Sequence, residues 1–195
     1  NPDLEPTGMD VYASEGPADT APVVLADDWL CTEVGEVDQV VLWGSWLDDT
    51  YPQEGPGSIP FTLSIHEDIA AGELEEWSVP GDTLWTRDFQ PGSYEVVEYA
   101  TGLTEGWYDP VQGIYNPVGD TVCWQYVFDL DPAEFIQTGK PDDPKVYWLD
   151  VQAHVPETGG LFGWKTSLDH WNDDAVYHVG REPVAPGVGV WNELI

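Results

Sequence analysis

The chain has 195 residues, enough for one sizeable core and too few for two. It is 42% apolar, and therefore globular, yet it carries 37 acidic against five basic residues, a net charge of -32. That charge excludes nucleic-acid backbones and anionic membrane surfaces as partners. The chain also lacks any run of about 18 apolar residues that could span a bilayer as a helix.

Residues 1–22 are rich in Pro, Asp and Gly and read as an extended N-terminal arm, with the domain proper over 23–195. Asn1-Pro2-Asp3 looks like the start of a processed chain, and no signal peptide precedes it. The arm could lie along its own domain or along a neighbour's. Val23 to Cys31 gives the first strand signals, with Asp27-Asp28 read as a bulge or loop carrying paired carboxylates. Asp38 to Leu47 is apolar on both faces, as a central strand is. Ile59 to Asp68 alternates, with Phe61, Leu63 and Ile65 inward and Thr62, Ser64, His66 and Asp68 outward, which predicts a half-exposed antiparallel strand. Thr83–Phe89 and Ser93–Ala100 are strands joined at Gln90-Pro91-Gly92, a hairpin signal.

Gly102 to Gly119 reads as a decorated loop. Thr121 to Leu130 is the clearest strand, with Val122, Trp124, Tyr126, Phe128 and Leu130 on one face. Asp131-Pro132-Ala133-Glu134 carries an N-cap and predicts one short helical turn. Lys145–His154 is a strand with Tyr147, Leu149, Val151 and Ala153 inward, and Leu161–Leu168 and Ala175–Val179 are two more. Many short strands, turn signals between them and almost no helical periodicity predict an all-β fold. The expected form is a single antiparallel two-sheet β-sandwich, jelly-roll-like, with long loops.

Several stretches are long and specific: Val24-Leu25-Ala26-Asp27-Asp28-Trp29-Leu30-Cys31, Trp43-Gly44-Ser45-Trp46, Leu84-Trp85-Thr86-Arg87-Asp88-Phe89 and Tyr147-Trp148-Leu149-Asp150-Val151-Gln152-Ala153. Phe162 to Val176, which mixes aromatics, a rare lysine and clustered acids, is another. With Pro2-Asp3-Leu4 and Gly8-Met9-Asp10-Val11, these resemble an uncharacterised family of secreted bacterial β-rich domains, a domain of unknown function often found within larger exported or surface proteins. The resemblance implies an exported β-rich module and brings no catalytic residues. Members usually continue past the Trp191-Asn192-Glu193-Leu194 element with a further β-like tail, whereas this sequence stops at Ile195. An unfilled sheet edge is a pairing site, and strand donation by the arm of a neighbour could fill it.

Four constellations could carry chemistry. Asp169, Asn172, Asp173 and Asp174 offer oxygen ligands on one turn, a candidate Ca²⁺ site, although a solvated acidic turn looks the same. Asp27-Asp28 is a rival, as are Asp48-Asp49, Asp129/Asp131 and Asp142-Asp143. His66, His154, His170 and His178 show no metal-ligand spacing. Paired carboxylates for glycoside hydrolysis can arise by chance among so many acids, and no GxSxG or phosphate-binding loop occurs. Of eleven tryptophans, Trp77, Trp107, Trp171 and Trp191 lie in loop-like stretches, where they could anchor a subunit interface or stack on sugar rings. Cys31 and Cys123 would pair as a disulfide in a secreted chain, with two buried free thiols as the other reading.

The resulting expectation is a secreted, acidic, non-enzymatic structural or assembly module of the cell surface or extracellular matrix, with a filament subunit joined by arm or strand exchange as one form. Its partners would be copies of itself or other surface proteins, and Ca²⁺ its candidate cofactor. A carbohydrate-binding module using loop tryptophans is the alternative, and a glycoside hydrolase the third reading.

Overall fold

A computed structural model describes residues 1–16, 20–156, 159–168, 171 and 174–194. In chain order the strands are β1 (Met9–Tyr12), β2 (Ser14–Glu15), β3 (Val23–Cys31), β4 (Val34–Glu36), β5 (Gln39–Trp46), β6 (Phe61–Ile69), β7 (Val79–Phe89) and β8 (Glu95–Asp109). They continue with β9 (Ile114–Asp129), β10 (Ile136–Thr138), β11 (Lys145–His154), β12 (Phe162–Lys165), β13 (Val176–Val179) and β14 (Asn192–Glu193). The fold is all-β, as expected, but its arrangement is not a two-sheet sandwich. Among the described residues β1-β12-β5-β9-β8 hydrogen-bond into a closed barrel, β14-β13-β3-β11-β6-β7 form a larger sheet with β2 beside β11, and β10-β4 make a small third sheet.

Two features of the sequence produce this departure. Gln90 to Ser93 does form a tight turn, with Ser93 N–H donating to Gln90 C=O at 2.9 Å. It is a corner between sheets and not a hairpin, because β7 pairs with β6 and β8 with β9. The stretch expected to be a decorated loop is instead the end of β8 and the start of β9, folded about Asp109–Gly113. Trp107, Tyr108, Ile114 and Tyr115 suit a strand on either side of that turn.

The N-terminal stretch lies along its own domain. β1 runs parallel to β8 and antiparallel to β12, and so closes the barrel. Gly163 permits that closure: a Cβ there would come 2.7 Å from the Trp107 ring and 2.8 Å from Asp10. β3 runs unbroken through Asp27 and Asp28, without the expected bulge. Asp131 receives Ala133 N–H at 3.0 Å as a cap, but Pro132–Glu134 is a turn and not a helix.

The main core lies between the barrel and the large sheet. Phe61 sits at its centre, with Tyr126, Phe128 and Phe162 at 5.3–5.4 Å between ring centroids. Trp46, fully buried, donates its indole N–H to Tyr126 Oη at 3.0 Å. A second cluster covers the far face of the large sheet, where Val176, Val184 and Trp191 pack on Val24, Ala26 and Trp148. This overturns the half-exposed reading of β6. Thr62, Ser64 and His66 are buried beneath that C-terminal cover, and Asp150 and Gln152 of β11 are buried with them.

Candidate functional site

Lys165 is the last residue of β12, and its side chain is fully buried in the barrel. β1 pairs with β12 in a register that sets Asp10 directly opposite Lys165. The Lys165 ammonium touches Asp10 Oδ2 and lies 2.5 Å from Glu105 Oε2 on β8. Asp120 of β9 completes the group, and the ligand oxygens of Asp10, Glu105 and Asp120 all lie within 4.8 Å of one another. That spacing suits a cation, and the ammonium supplies one.

Three buried carboxyls and one ammonium are electroneutral only when two of the carboxyls hold a proton. Burial pushes Asp120 up to about 8, with Asp10 adding to it, so Asp120 is protonated at neutral pH. Burial also raises Asp10 and Glu105, against the opposing pull of Lys165. For Lys165 itself burial works against the charged form, but Asp10 and Glu105 outweigh it and hold the ammonium well above the ordinary lysine range. Asp10 Oδ1, Glu105 Oε1 and both Asp120 oxygens meet no N–H donor among the described residues, and the Ser45 hydroxyl faces Asp10. Protons on the acids convert these facing acceptors into hydrogen bonds, as between Asp10 and Asp120.

A second buried group lies in the large sheet. His66 Nε2 is 2.7 Å from Asp150 Oδ2, and its Nδ1 is 3.2 Å from Gly81 C=O. A carbonyl only accepts, so Nδ1 carries a hydrogen, and a second hydrogen must lie between Nε2 and Asp150. Asp150 also faces Glu182. Burial pushes Asp150 up to about 7 and Glu182 to about 9, with the neighbouring Asp150 adding to the latter. Glu182 therefore holds a proton at neutral pH and donates it to Asp150. Burial lowers His66. His154 joins Thr62 Oγ1 at 2.7 Å and Glu15 at 3.1 Å, an order reminiscent of a hydroxyl–imidazole–carboxylate relay. The Thr62 hydroxyl, however, donates to Asp88 at 2.8 Å, so its proton is already engaged.

The residues singled out by sequence are dispersed. Trp107 and Trp191 are buried in the two cores, Trp77 is partly buried against the second, and Trp171 is exposed. Asp27 and Asp28 lie on consecutive positions of β3, where side chains alternate between faces. Asp174 is exposed, whereas Asp169, His170, Asn172 and Asp173 lie outside the described residues. His178 Nδ1 meets Val190 C=O at 2.9 Å. The expected disulfide is not present: Cys31 and Cys123 are both buried free thiols. They belong to different sheets, and Cys31 Sγ is engaged with Glu33 C=O at 3.0 Å. Lys165 was visible as a rare base in an apolar strand, but three partners among 37 acids carried no signal of their own.

No curated protein and no solved structure matches the chain. A family model does match it over residues 1–194, and the chain belongs to that family, the domain of unknown function DUF7901.

Proposed function

We propose that this domain is a secreted, acidic, non-enzymatic structural module that assembles with copies of itself at the bacterial cell surface or in the extracellular matrix. The tip of the β8–β9 hairpin carries the reading. Val111, Ile114, Tyr115 and Val118 are 39%, 54%, 50% and 58% exposed on and beside it, four of the large apolar side chains that this acidic chain leaves facing water. Pro117 sits among them and lacks the N–H that a docking strand would need, so contact runs through side chains and not through backbone pairing. β1 is held in its own barrel and is not the exchanged element in this form of assembly.

Charge sets the conditions. Two copies at -32 repel one another until salt or a divalent cation screens them, so Ca²⁺ acts here by neutralising acidic surface. Light scattering in Ca²⁺ and then in EDTA tests this. A mass above the 21.6 kDa chain in Ca²⁺ that falls in EDTA supports cation-assisted assembly. A single chain in Ca²⁺ and at high salt refutes it.

A carbohydrate-binding reading is favoured by one other observation. A groove of 710 Å³ beside β10 and β11 combines Phe135, Tyr147 and Leu84 with Glu67 and Asp68. Calorimetric titration with oligosaccharides distinguishes it, with the loop tryptophans playing no part in the groove.

A further inference from the structure

We propose that Lys165 and Asp10 condense to an intramolecular amide, a covalent staple between β12 and β1, with Glu105 moving the protons. Lys165 Nζ touches the Asp10 carboxyl directly, and both side chains are fully buried. Cross-strand register holds the two backbones opposite one another, so the reacting atoms meet without any motion of the fold. Glu105 approaches the same nitrogen at 2.5 Å, within reach of both the proton that leaves nitrogen and the oxygen that departs. Trp107 and Cys123, both buried in the same barrel, help to keep bulk water from the group.

The step balances without any oxidant or co-reactant. A proton first crosses from the ammonium to Asp10 along their direct contact, an uphill step because the two carboxyls hold the resting ammonium charged. The Nζ lone pair attacks Cγ, and the carbonyl oxygen takes the proton of Glu105 as negative charge develops on it. Glu105 then takes a proton from nitrogen and delivers it to one of the two Cγ hydroxyls, that Cγ–O bond breaks as water leaves, and the remaining hydroxyl returns its proton to Glu105 as the amide carbonyl forms. The ammonium has lost two hydrogens and the carboxylate one oxygen; an amide has formed and Glu105 is unchanged. Burial favours the amide over the ion pair by removing two charges from an apolar chamber and releasing the product water to solvent. The staple would link residues 155 apart in sequence in a chain whose cysteines are unpaired.

The inference does not depend on the assembly reading. Its test is mass spectrometry of the denatured chain. The expected mass is lower than that of the sequence by one water. Trypsin should fail to cut after Lys165 and should release peptide 1–87 joined to peptide 146–181. Glu105→Gln, close to isosteric, should restore the full mass and the cut at Lys165 while keeping the circular dichroism of the parent. A full-mass parent chain cut at Lys165 overturns the proposal. So does a water loss with Lys165 still cut, which indicates dehydration elsewhere, or a cross-link to peptide 88–145, which would make Glu105 or Asp120 the acyl partner.

Discussion

Replacing Glu182 by glutamine should flatten the alkaline decline of stability. Burial, together with Asp150, pushes Glu182 up to about 9, against an ordinary 4.5. A carboxyl raised in the folded state keeps a proton that the unfolded chain has lost. The stability it contributes is complete below the unfolded value and disappears as pH rises through the folded one. Between pH 7 and 8.5 the unfolded chain is ionised at this position while the folded chain still holds its proton. One proton of difference costs about 1.4 kcal/mol per pH unit, or about 2 kcal/mol across that interval.

Glutamine does not titrate, and its amide N–H donates to Asp150 as the protonated acid does. Repulsion among surface acids and the titration of Asp120, pushed up to about 8, are common to both proteins and cancel. His66, lowered by burial, and Asp150, pushed up to about 7, face an uncharged neighbour in both proteins while Glu182 keeps its proton, so their titration is common to both and cancels. Urea unfolding at pH 7 and 8.5 reads the difference. The parent should lose about 2 kcal/mol more than Glu182→Gln, a gap of roughly 1 M in midpoint. Equal losses in the two proteins would refute the shared proton between Glu182 and Asp150.

Three further outcomes follow from the same geometry. The unfolded, unreduced chain should titrate two thiols, and a reducing agent should leave the melting temperature unchanged, since Cys31 and Cys123 are free. Folded Cys123 should resist alkylation at pH 8, because burial pushes its thiol up to about 12. Trp46→Phe should cost about 2–3 kcal/mol in denaturant unfolding, from the cavity and from the Tyr126 hydroxyl that loses its indole donor.

Much of the fold was legible in local pattern. β3, β5, β6 and β11 fall close to the stretches that alternation or apolar runs marked, because strand period and burial are properties of neighbouring residues. The global arrangement was not, because it depends on which strands pair. Nothing local distinguishes a hairpin at Gln90-Pro91-Gly92 from a corner between sheets. The polar face of β6 reads as solvent-facing from its alternation alone, yet His66 is fully buried because residues 176–194 cover that side. The buried lysine had a visible anomaly, one base between Trp164 and Thr166 in an apolar strand. Its acids come from β1, β8 and β9, and only the barrel brings them together. Trp107 and Trp191 were misplaced for the opposite reason: Gly and Pro neighbours suggested loops, but each ring is buried in a core.

The assembly account stands most directly on the hairpin tip. The native mass of Ile114→Asp/Tyr115→Ser should be compared with that of the parent by light scattering at matched high salt, where charge repulsion is screened in both. Both positions are exposed, so the monomer should fold as before. The account predicts a parent mass at a multiple of 21.6 kDa and a double variant at 21.6 kDa. A parent that stays at a single chain, or a variant that assembles as the parent does, would contradict it.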